Sequence, residues 1–264
     1  MPCDVYEAAW MFFIYACIGW CTEVIYVGLN KGHFVNRGFF NGPICPIYGI
    51  GVLIVVAVLT PLKNNFILLF LGSMVLTSLL EFLTGLILEK LFSQKWWDYS
   101  DMPFNIKGYV CLKFSIYWGM GCMLVMNVVH PGIYRSIRFI PRKLGIIFLV
   151  ILLVLFIADL CVTVNILLKF NRNLRSMEKI ANAIHKLSDE VGEDIFEKAS
   201  AVVSKREDIH EDLKEKRMEL ERLNEEYKRI LEERYFGFKR LIKAFPSMRS
   251  KKWDELLQQL KKEK

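Results

Sequence analysis

The segment 66-FILLFLGSMVLTSLLEFLTGLILE-89 decides the fold class, because its only ionisable side chains are Glu81 and Glu89. A helix needs about 20 apolar residues to cross the hydrocarbon core of a bilayer, which is roughly 30 Å thick. Comparable apolar runs lie at 6–29, 44–62, 109–130 and 144–168. Together they predict an all-α fold, a polytopic membrane helix bundle of about five spans.

Charge divides the chain into two parts. Residues 1–170 carry 12 Lys/Arg and 8 Asp/Glu, whereas residues 171–264 carry 23 and 20. Sparse charge is typical of membrane segments and dense charge of segments in water. We therefore predict a transmembrane domain at 1–170, a coiled-coil helical region at 171–246 and a short basic amphipathic helix at 247–264.

Basic residues also predict the orientation in the membrane. With five spans, the loops 30–43 and 90–108 share one side of the membrane with the tail. That side carries nine Lys/Arg near the membrane and the opposite side carries five. Because basic loops stay in the cytoplasm, we predict a multi-pass protein of the cell (inner or plasma) membrane, with its N-terminus outside and its C-terminal tail cytoplasmic.

The tail has an apolar stripe that is typical of a coiled coil. Its positions alternate at spacings of four and three: Ile180, Ile184, Leu187 and Val191, and then Ile209, Leu213, Lys216, Leu220, Leu223, Tyr227 and Ile230. So narrow a stripe needs a partner helix. A homodimer through the tail is the arrangement we prefer, and a helical hairpin within one chain, broken at Gly192, is the alternative.

The end of the tail mixes basic and aromatic residues. The stretch 235-YFGFKRLIKAFPSMRSKKW-253 holds six Lys/Arg, a composition typical of segments that bind anionic lipid headgroups. An ordinary solvated face is the alternative. We expect no nucleic-acid partner, because no nucleic-acid-binding motif accompanies the basic residues.

The sequence lacks the common signatures of an enzyme. Its seven cysteines are scattered and form no C-x-x-C pair, so we expect no metal, no cofactor and no disulfide framework. No G-x-x-x-x-G-K-[ST] phosphate loop is present, so any ATP hydrolysis would come from a partner.

Four acidic residues stand out inside the apolar runs: Glu23, Glu81, Glu89 and Asp159. A charge at the bilayer centre costs at least about 2.5–3.5 kcal/mol, so such residues face a bundle interior. They would form either a substrate or proton/cation pathway, or structural contacts with residues such as Lys113, which we expect near Glu89. By helical rise, Glu23 and Glu81 lie at similar depths.

Two loops are rich in residues that helices avoid or that carry polar groups. Glycines and prolines in 36-NRGFFNGPICPIYGIG-51 predict a broken or re-entrant entry into the second span, or a tight turn, with Arg37 and Asn41 as polar candidates. The loop 96-WWDYSDMPFNIKGY-109 offers Asp98, Tyr99, Asp101 and Asn105. We expect Asp101 with Pro103 to cap the fourth helix, and Lys107 to neutralise one carboxylate. Together the two loops would roof a cavity above Glu23 and Glu81.

Three ordered motifs carry a family resemblance: "RGFFNGPICPIYGIG", "LEFLTGLILEKLF" and "WWDYSDMPFNIKGYVCL", followed by "SIYWG". Residues 8–170 resemble the bacterial ABC-transporter permeases of the CmpB type. The residues that match this pattern are Arg37, Gly38, Gly42, Pro43, Pro46, Tyr48, Gly49, Glu81, Glu89, Trp97, Asp98, Tyr99, Pro103, Phe104, Asn105 and Gly108.

The resemblance implies a permease-like transporter subunit that works with a separate ATPase subunit. No loop of the E-A-A…G type, which importer permeases present to their ATPase, is found. The alternative is a membrane-anchored coiled-coil scaffold or sensor without transport activity.

Overall fold

The computed structural model describes residues 4–200, 207–234 and 236–262, and it is 79% helical. The chain forms two compact units: Met1–Asn165 with Arg240–Lys251, and Ile166–Lys239 with Lys252–Lys264. Charge alone assigned residues 240–251 to the tail, whereas the structure groups them with the membrane helices.

Helices account for most of the first unit. They are α1 (Val5–Lys31), α2 (Pro46–Leu59, continued by a 3-10 turn at Thr60–Leu62), α3 (Phe66–Phe92), α4 (Leu112–Leu124), a π-helical turn (Val125–Val129), α5 (His130–Phe139) and the beginning of α6 (Arg142–Ser200). Two antiparallel strand pairs accompany them: β1 (Gln94–Lys95) with β4 (Arg249–Ser250), and β2 (Asn105–Ile106) with β3 (Val110–Cys111).

Among the described residues, four helical stretches are long and apolar enough to cross a membrane. They are Val5–Asn30, Phe66–Phe92, Leu112–Phe139 and Arg142–Val191. The fifth expected span is not confirmed, because the helical stretch Pro46–Leu62 is shorter. At 1.5 Å per residue it is about 26 Å long, less than a hydrocarbon core of about 30 Å.

Local sequence explains where the long helices begin and end. Asp4 caps α1 by accepting a hydrogen bond from the backbone N–H of Tyr6, and α1 stops at Gly32, whose φ of 71° is left-handed. Asn65 caps α3 in the same way, and α3 stops at Ser93 with a φ of 56°. These are ordinary helix caps, so hydropathy and capping together fix the bounds.

The chain enters α2 through non-helical backbone, as the glycines and prolines predict. Residues 32–45 form no helix, and the Cys45 N–H donates to the carbonyl oxygen of Ala16 at 3.0 Å. The second helix therefore starts beside the middle of α1. Gly49 permits this close approach, since a Cβ there would lie 2.5 Å from the Phe12 carbonyl oxygen.

An apolar core joins α1, α2, α3 and the region from α4 to α5. Its buried members are Met11, Tyr15, Val55, Val56, Leu59, Leu69, Cys122, Met126 and Ile137. Other large apolar side chains stay exposed, including Leu79 and Ile87 of α3 and Val154 of α6. Exposed apolar faces on helices of this length are what a lipid environment accommodates.

The second unit contains the rest of α6, α7 (Glu207–Arg234), the first part of α8 (Phe236–Ala244) and α9 (Asp254–Lys262). Met177 and Ile180 of α6 pack against Leu223 and Tyr227 of α7, and against Leu256 of α9. Part of the apolar stripe thus has partners within one chain, the arrangement of the hairpin alternative. A homodimer through the tail stays a prediction.

One detail of the tail prediction is wrong, and another lies outside the described residues. A break at Gly192 was wrong, because the α6 backbone is helical from Arg142 to Ser200. The side chains of Ile209, Leu213 and Ile230, which belong to the predicted stripe, lie outside the described residues.

Candidate functional site

Glu23, on α1, lies between two donors: Arg37 from the loop before α2 and Tyr48 from the first turn of α2. The Tyr48 hydroxyl donates to Glu23 Oε1 at 2.6 Å, and Arg37 Nε donates to Glu23 Oε2 at 3.3 Å. Both Glu23 and Arg37 side chains are about three-quarters buried. The broken entry into α2 brings these two donors to the carboxylate.

Glu81, on α3, faces the other loop. It is only 8% exposed and accepts a 3.2 Å hydrogen bond from the Tyr99 hydroxyl. The Trp118 indole also approaches as a donor, although Glu81 Oε2 makes no hydrogen bond of regular geometry. Burial raises the pKa of Tyr99, and the charge of Glu81 raises it further, so this hydroxyl stays protonated as a donor.

The two carboxylates belong to one cluster. The Tyr48 ring, whose hydroxyl reaches Glu23, packs edge-on against Trp118 at 5.4 Å between ring centroids. Glu23 and Glu81 are also close enough to interact electrostatically. The structure therefore brings together two acids that lie 58 residues apart in the sequence. We call Glu23, Arg37, Tyr48, Glu81 and Tyr99, with Trp118, the acid cluster.

The charges of the acid cluster do not balance. Arg37 forms an ion pair with Glu23, whereas Glu81 has no ion pair within the described part of the chain. A buried carboxylate without a cation is costly unless it takes up a proton or a positively charged group. Glu81 is thus the group best suited to accept a cation or a proton.

Asp159, on α6, holds the loop that carries Arg37. It accepts hydrogen bonds from the backbone N–H groups of Asn41 and Gly42 at 3.1 and 2.7 Å, from the Asn41 side-chain amide at 2.8 Å and from Thr163 at 3.2 Å. No basic partner was evident for Asp159 in the sequence. Its partners in this loop are backbone and amide groups, and through them Asp159 holds the loop 32–45 against α6.

Asp98 organises the second loop. Lys95 Nζ contacts Asp98 Oδ1 at 2.7 Å, and Arg249 Nε contacts Asp98 Oδ2 at 3.5 Å. Burial alone would raise the pKa of Asp98, but hydrogen bonds from Lys95 and Ser100 outweigh it and lower this pKa below its usual range. Gly108, with a φ of +70°, is required here, because a Cβ would lie 2.3 Å from Asp98 Oδ1.

Two expectations for this loop were wrong. Asp101 does not cap α4, whose N-cap is Cys111 with no side-chain hydrogen bond, and Asp101 is exposed. Lys107 contributes its backbone carbonyl to Lys95 at 2.8 Å, and the cations that contact Asp98 are Lys95 and Arg249. Lys95 lies three residues before Asp98, and its ammonium group reaches that carboxylate directly.

Asn105 stabilises the turn of this loop, and Glu89, on α3, contacts its last residue, Tyr109. The Asn105 amide donates to two loop carbonyls, of Ser100 and Met102, at 3.1 and 2.8 Å. Glu89 accepts from the Tyr109 hydroxyl and forms an ion pair with Lys251 at 2.7 Å. Burial, followed by the bond to Glu89, raises the pKa of Tyr109 to about 12.

Lys113 was expected beside Glu89, and that expectation was wrong. The described cationic partner of Glu89 is Lys251, which lies 162 residues further along the chain. Glu89 is therefore neutralised by the C-terminal part of the protein and not by the start of the fourth helix.

Of the candidate site residues, Glu23, Arg37, Glu81 and Tyr99 meet in the acid cluster. Asn41 and Asp159 fix one loop, while Asp98, Asn105 and Glu89 fix the other. Sequence reasoning gave no role to the Tyr48 hydroxyl or to Trp118, although both lie in the family-like motifs "CPIYGIG" and "SIYWG". No sequence signal pointed to Lys251 as a partner.

Within the described residues, no group of three or more His, Cys, Asp or Glu side chains gathers as metal ligands would. Residues 10–164 match the family described as "Putative ABC-transporter type IV". No solved structure matches the chain.

Proposed function

Since the chain belongs to the family described as "Putative ABC-transporter type IV", we propose that it is a permease-like subunit of a membrane transport system, not an enzyme. Its substrate contact is the acid cluster. The observation that carries this proposal is Glu81, a buried carboxylate for which no described residue forms an ion pair.

The ligand class follows from charge. Two acids and one arginine leave one excess negative charge in a place poorly reached by water. A cationic group of a substrate, or a coupling proton, would neutralise Glu81 and remove the cost of its burial. Tyr99 and Trp118 would orient the carboxylate, because both approach it as hydrogen-bond donors.

Non-helical backbone beside the middle of α1 supports a transport role. Such backbone is tolerated at membrane depth where it is buried in protein or lines a cavity. Residues 36–43 fit this description, since Asp159 satisfies the N–H groups of Asn41 and Gly42. A segment held in this way has two possible arrangements, bound to or released from Asp159, which is what gating requires.

A thermal-shift assay on the purified full-length protein in mild detergent tests the ligand class. The probes are 1,4-diaminobutane, tetramethylammonium and arginine, with succinate as an anionic comparison. At ten times its Kd a ligand adds about 1.4 kcal/mol, which raises Tm by about 3–6 °C. We expect at least one cation to do this in the wild type and in Asp101→Asn, but not in Glu81→Gln.

Two results would contradict the cation proposal. One is that none of the cations stabilises the wild type. The other is that a cation stabilises Glu81→Gln as much as the wild type, which would place the ligand elsewhere.

A partner ATPase belongs to the same proposal, because the family description names an ABC transporter and the chain has no phosphate loop. Affinity purification from the native membrane, followed by mass spectrometry, tests it. A stoichiometric ATPase is the expected result. Its absence, together with unchanged solute uptake in a deletion strain, would refute the permease role.

The second candidate function is a membrane-anchored scaffold or sensor, and the packed helices of the second unit favour it. Deleting 171–264 cannot separate the two functions, because it removes residues 240–251 of the first unit. A deletion of 175–234 keeps that segment. A permease should then retain part of its transport, whereas a scaffold should lose all function.

A further inference from the structure

Residues 240–251, which we call the docking segment, lie beyond the end of the family match at residue 164, yet they pack in the first unit. Arg240 makes the most specific contacts. Its two terminal nitrogens donate to the carbonyl oxygens of Gly38 and Phe39, at 2.9 and 3.0 Å. A planar guanidinium can hold two neighbouring carbonyls at once. Arg240 therefore fixes the backbone that directly follows Arg37.

The docking segment also holds Arg37 itself. Arg37 Nη1 donates to the Ala244 carbonyl oxygen at 2.8 Å while its Nε faces Glu23. The guanidinium lies 5.8 Å from the Phe245 ring, and that ring packs edge-on against Trp96 at 5.0 Å. The position of the cation next to Glu23 thus depends on residues more than 200 positions away in the sequence.

The end of the segment is tied to the second loop. Strand β4 pairs with β1, and the Ser250 hydroxyl donates to the Ser93 carbonyl at 3.0 Å. The two ion pairs are asymmetric: Asp98 and Glu89 are about 10% exposed, whereas the Arg249 and Lys251 side chains are 55% and 84% exposed. Exposed cations are screened by salt, and buried acids are costly to leave unpaired.

We infer that the docking segment is a latch that completes the acid cluster, with Arg240 as a positioning residue that keeps Arg37 on Glu23. The segment binds the loop 32–45 at one end and the Asp98 loop at the other. Its last two cations reach their acids from the solvent side, so ionic strength controls its release.

Hydrogen exchange followed by mass spectrometry tests this inference on the purified full-length protein. The reporter is the peptide covering 36–45, which includes the Asn41 and Gly42 N–H groups held by Asp159. The variants are Arg240→Gln and the double change Arg249→Met with Lys251→Met. Lys252→Met is the matched control, since Lys252 is the exposed basic neighbour of Lys251.

We expect about tenfold faster exchange of the reporter in Arg240→Gln, because two charge-assisted hydrogen bonds are lost. Arg240→Lys should restore protection only in part, since an ammonium group lacks the planar fork of donors. Peptides from the apolar core around Met11 and Val55 should exchange as in the wild type.

A salt titration separates a latch from a merely structural contact. Raising NaCl from 0.05 to 1 M should speed reporter exchange in the wild type and in Lys252→Met. The Arg249→Met, Lys251→Met variant should exchange fast at both concentrations.

Reporter exchange in Arg240→Gln within twofold of the wild type would overturn the inference. So would an equal rise in the core peptides, or exchange in the wild type that does not respond to salt. No substrate is used, so failure of the latch and failure of the cation proposal are distinguishable.

Discussion

Removing the Tyr48 hydroxyl tests the geometry of the acid cluster most directly. The hydroxyl donates a 2.6 Å hydrogen bond to Glu23, while the ring packs against Trp118 at 5.4 Å. Tyr48→Phe keeps the ring and deletes the donor. One oxygen of a largely buried carboxylate then loses its hydrogen bond, and Arg37 alone remains on Glu23.

The expected loss of stability follows from the negative charge of Glu23, which accepts the hydrogen bond. Hydrogen bonds to charged groups contribute about 1.5–3 kcal/mol, and 1 kcal/mol shifts Tm by roughly 2–4 °C in a protein of this size class. Tyr48→Phe should therefore lower Tm by about 3–12 °C.

Thermal unfolding in detergent, followed by tryptophan fluorescence at one scan rate, measures this loss. Tyr26→Phe is the control, because the Tyr26 side chain is 59% exposed and its variant should unfold within about 1 °C of the wild type. A cycle with Glu23→Gln should show coupling of at least about 0.5 kcal/mol between the two sites. A Tyr48→Phe protein that unfolds within 2 °C of the wild type, or strict additivity in the cycle, would refute the reasoning.

Two further predictions concern helix packing and the second loop. Gly49→Ala should destabilise the folded protein by about 1–3 kcal/mol, since the new methyl would lie 2.5 Å from the Phe12 carbonyl oxygen. Gly28→Ala is the control, because open space surrounds Gly28 and the folded protein should keep its stability. Thermal unfolding of the two variants measures the difference. The pKa of Asp98 is lowered by its partners, so its stabilising effect is present above the ordinary aspartate value of about 3.9 and is lost as pH falls through the lower folded value. Asp98→Asn should therefore have a lower Tm than the wild type at pH 7 and a smaller fall in Tm on acidification to pH 3; a pH slope equal to that of the Asp101→Asn control would contradict this.

Properties that depend on local sequence could be predicted well. The apolar run 66–89 became α3, Phe66–Phe92, and the run 6–29 became α1, Val5–Lys31. Burying apolar side chains in lipid is a property of each segment alone, so hydropathy finds the segments without a tertiary structure. Glycine and proline likewise act on the backbone of their own segment, so they predicted the non-helical stretch before α2, which begins at Pro46.

Contacts between distant residues could be predicted only in part. Similar depth was enough to suggest that Glu23 and Glu81 approach each other, because helical rise converts sequence position into depth. Depth does not say which side of a helix faces which neighbour. It therefore missed Tyr48 and Trp118, the residues that link the two acids.

The sequence by itself determined that this protein is a helical membrane protein with buried acids and two unusual loops. Only the tertiary structure decided which groups neutralise those acids. Lys251 reaches Glu89, Arg249 reaches Asp98, and Arg240 supports the loop of Arg37. The attraction between two charges depends on their distance in space and not on their spacing in the sequence. A basic residue from any part of the chain can therefore neutralise a buried acid once folding brings it within a few ångströms.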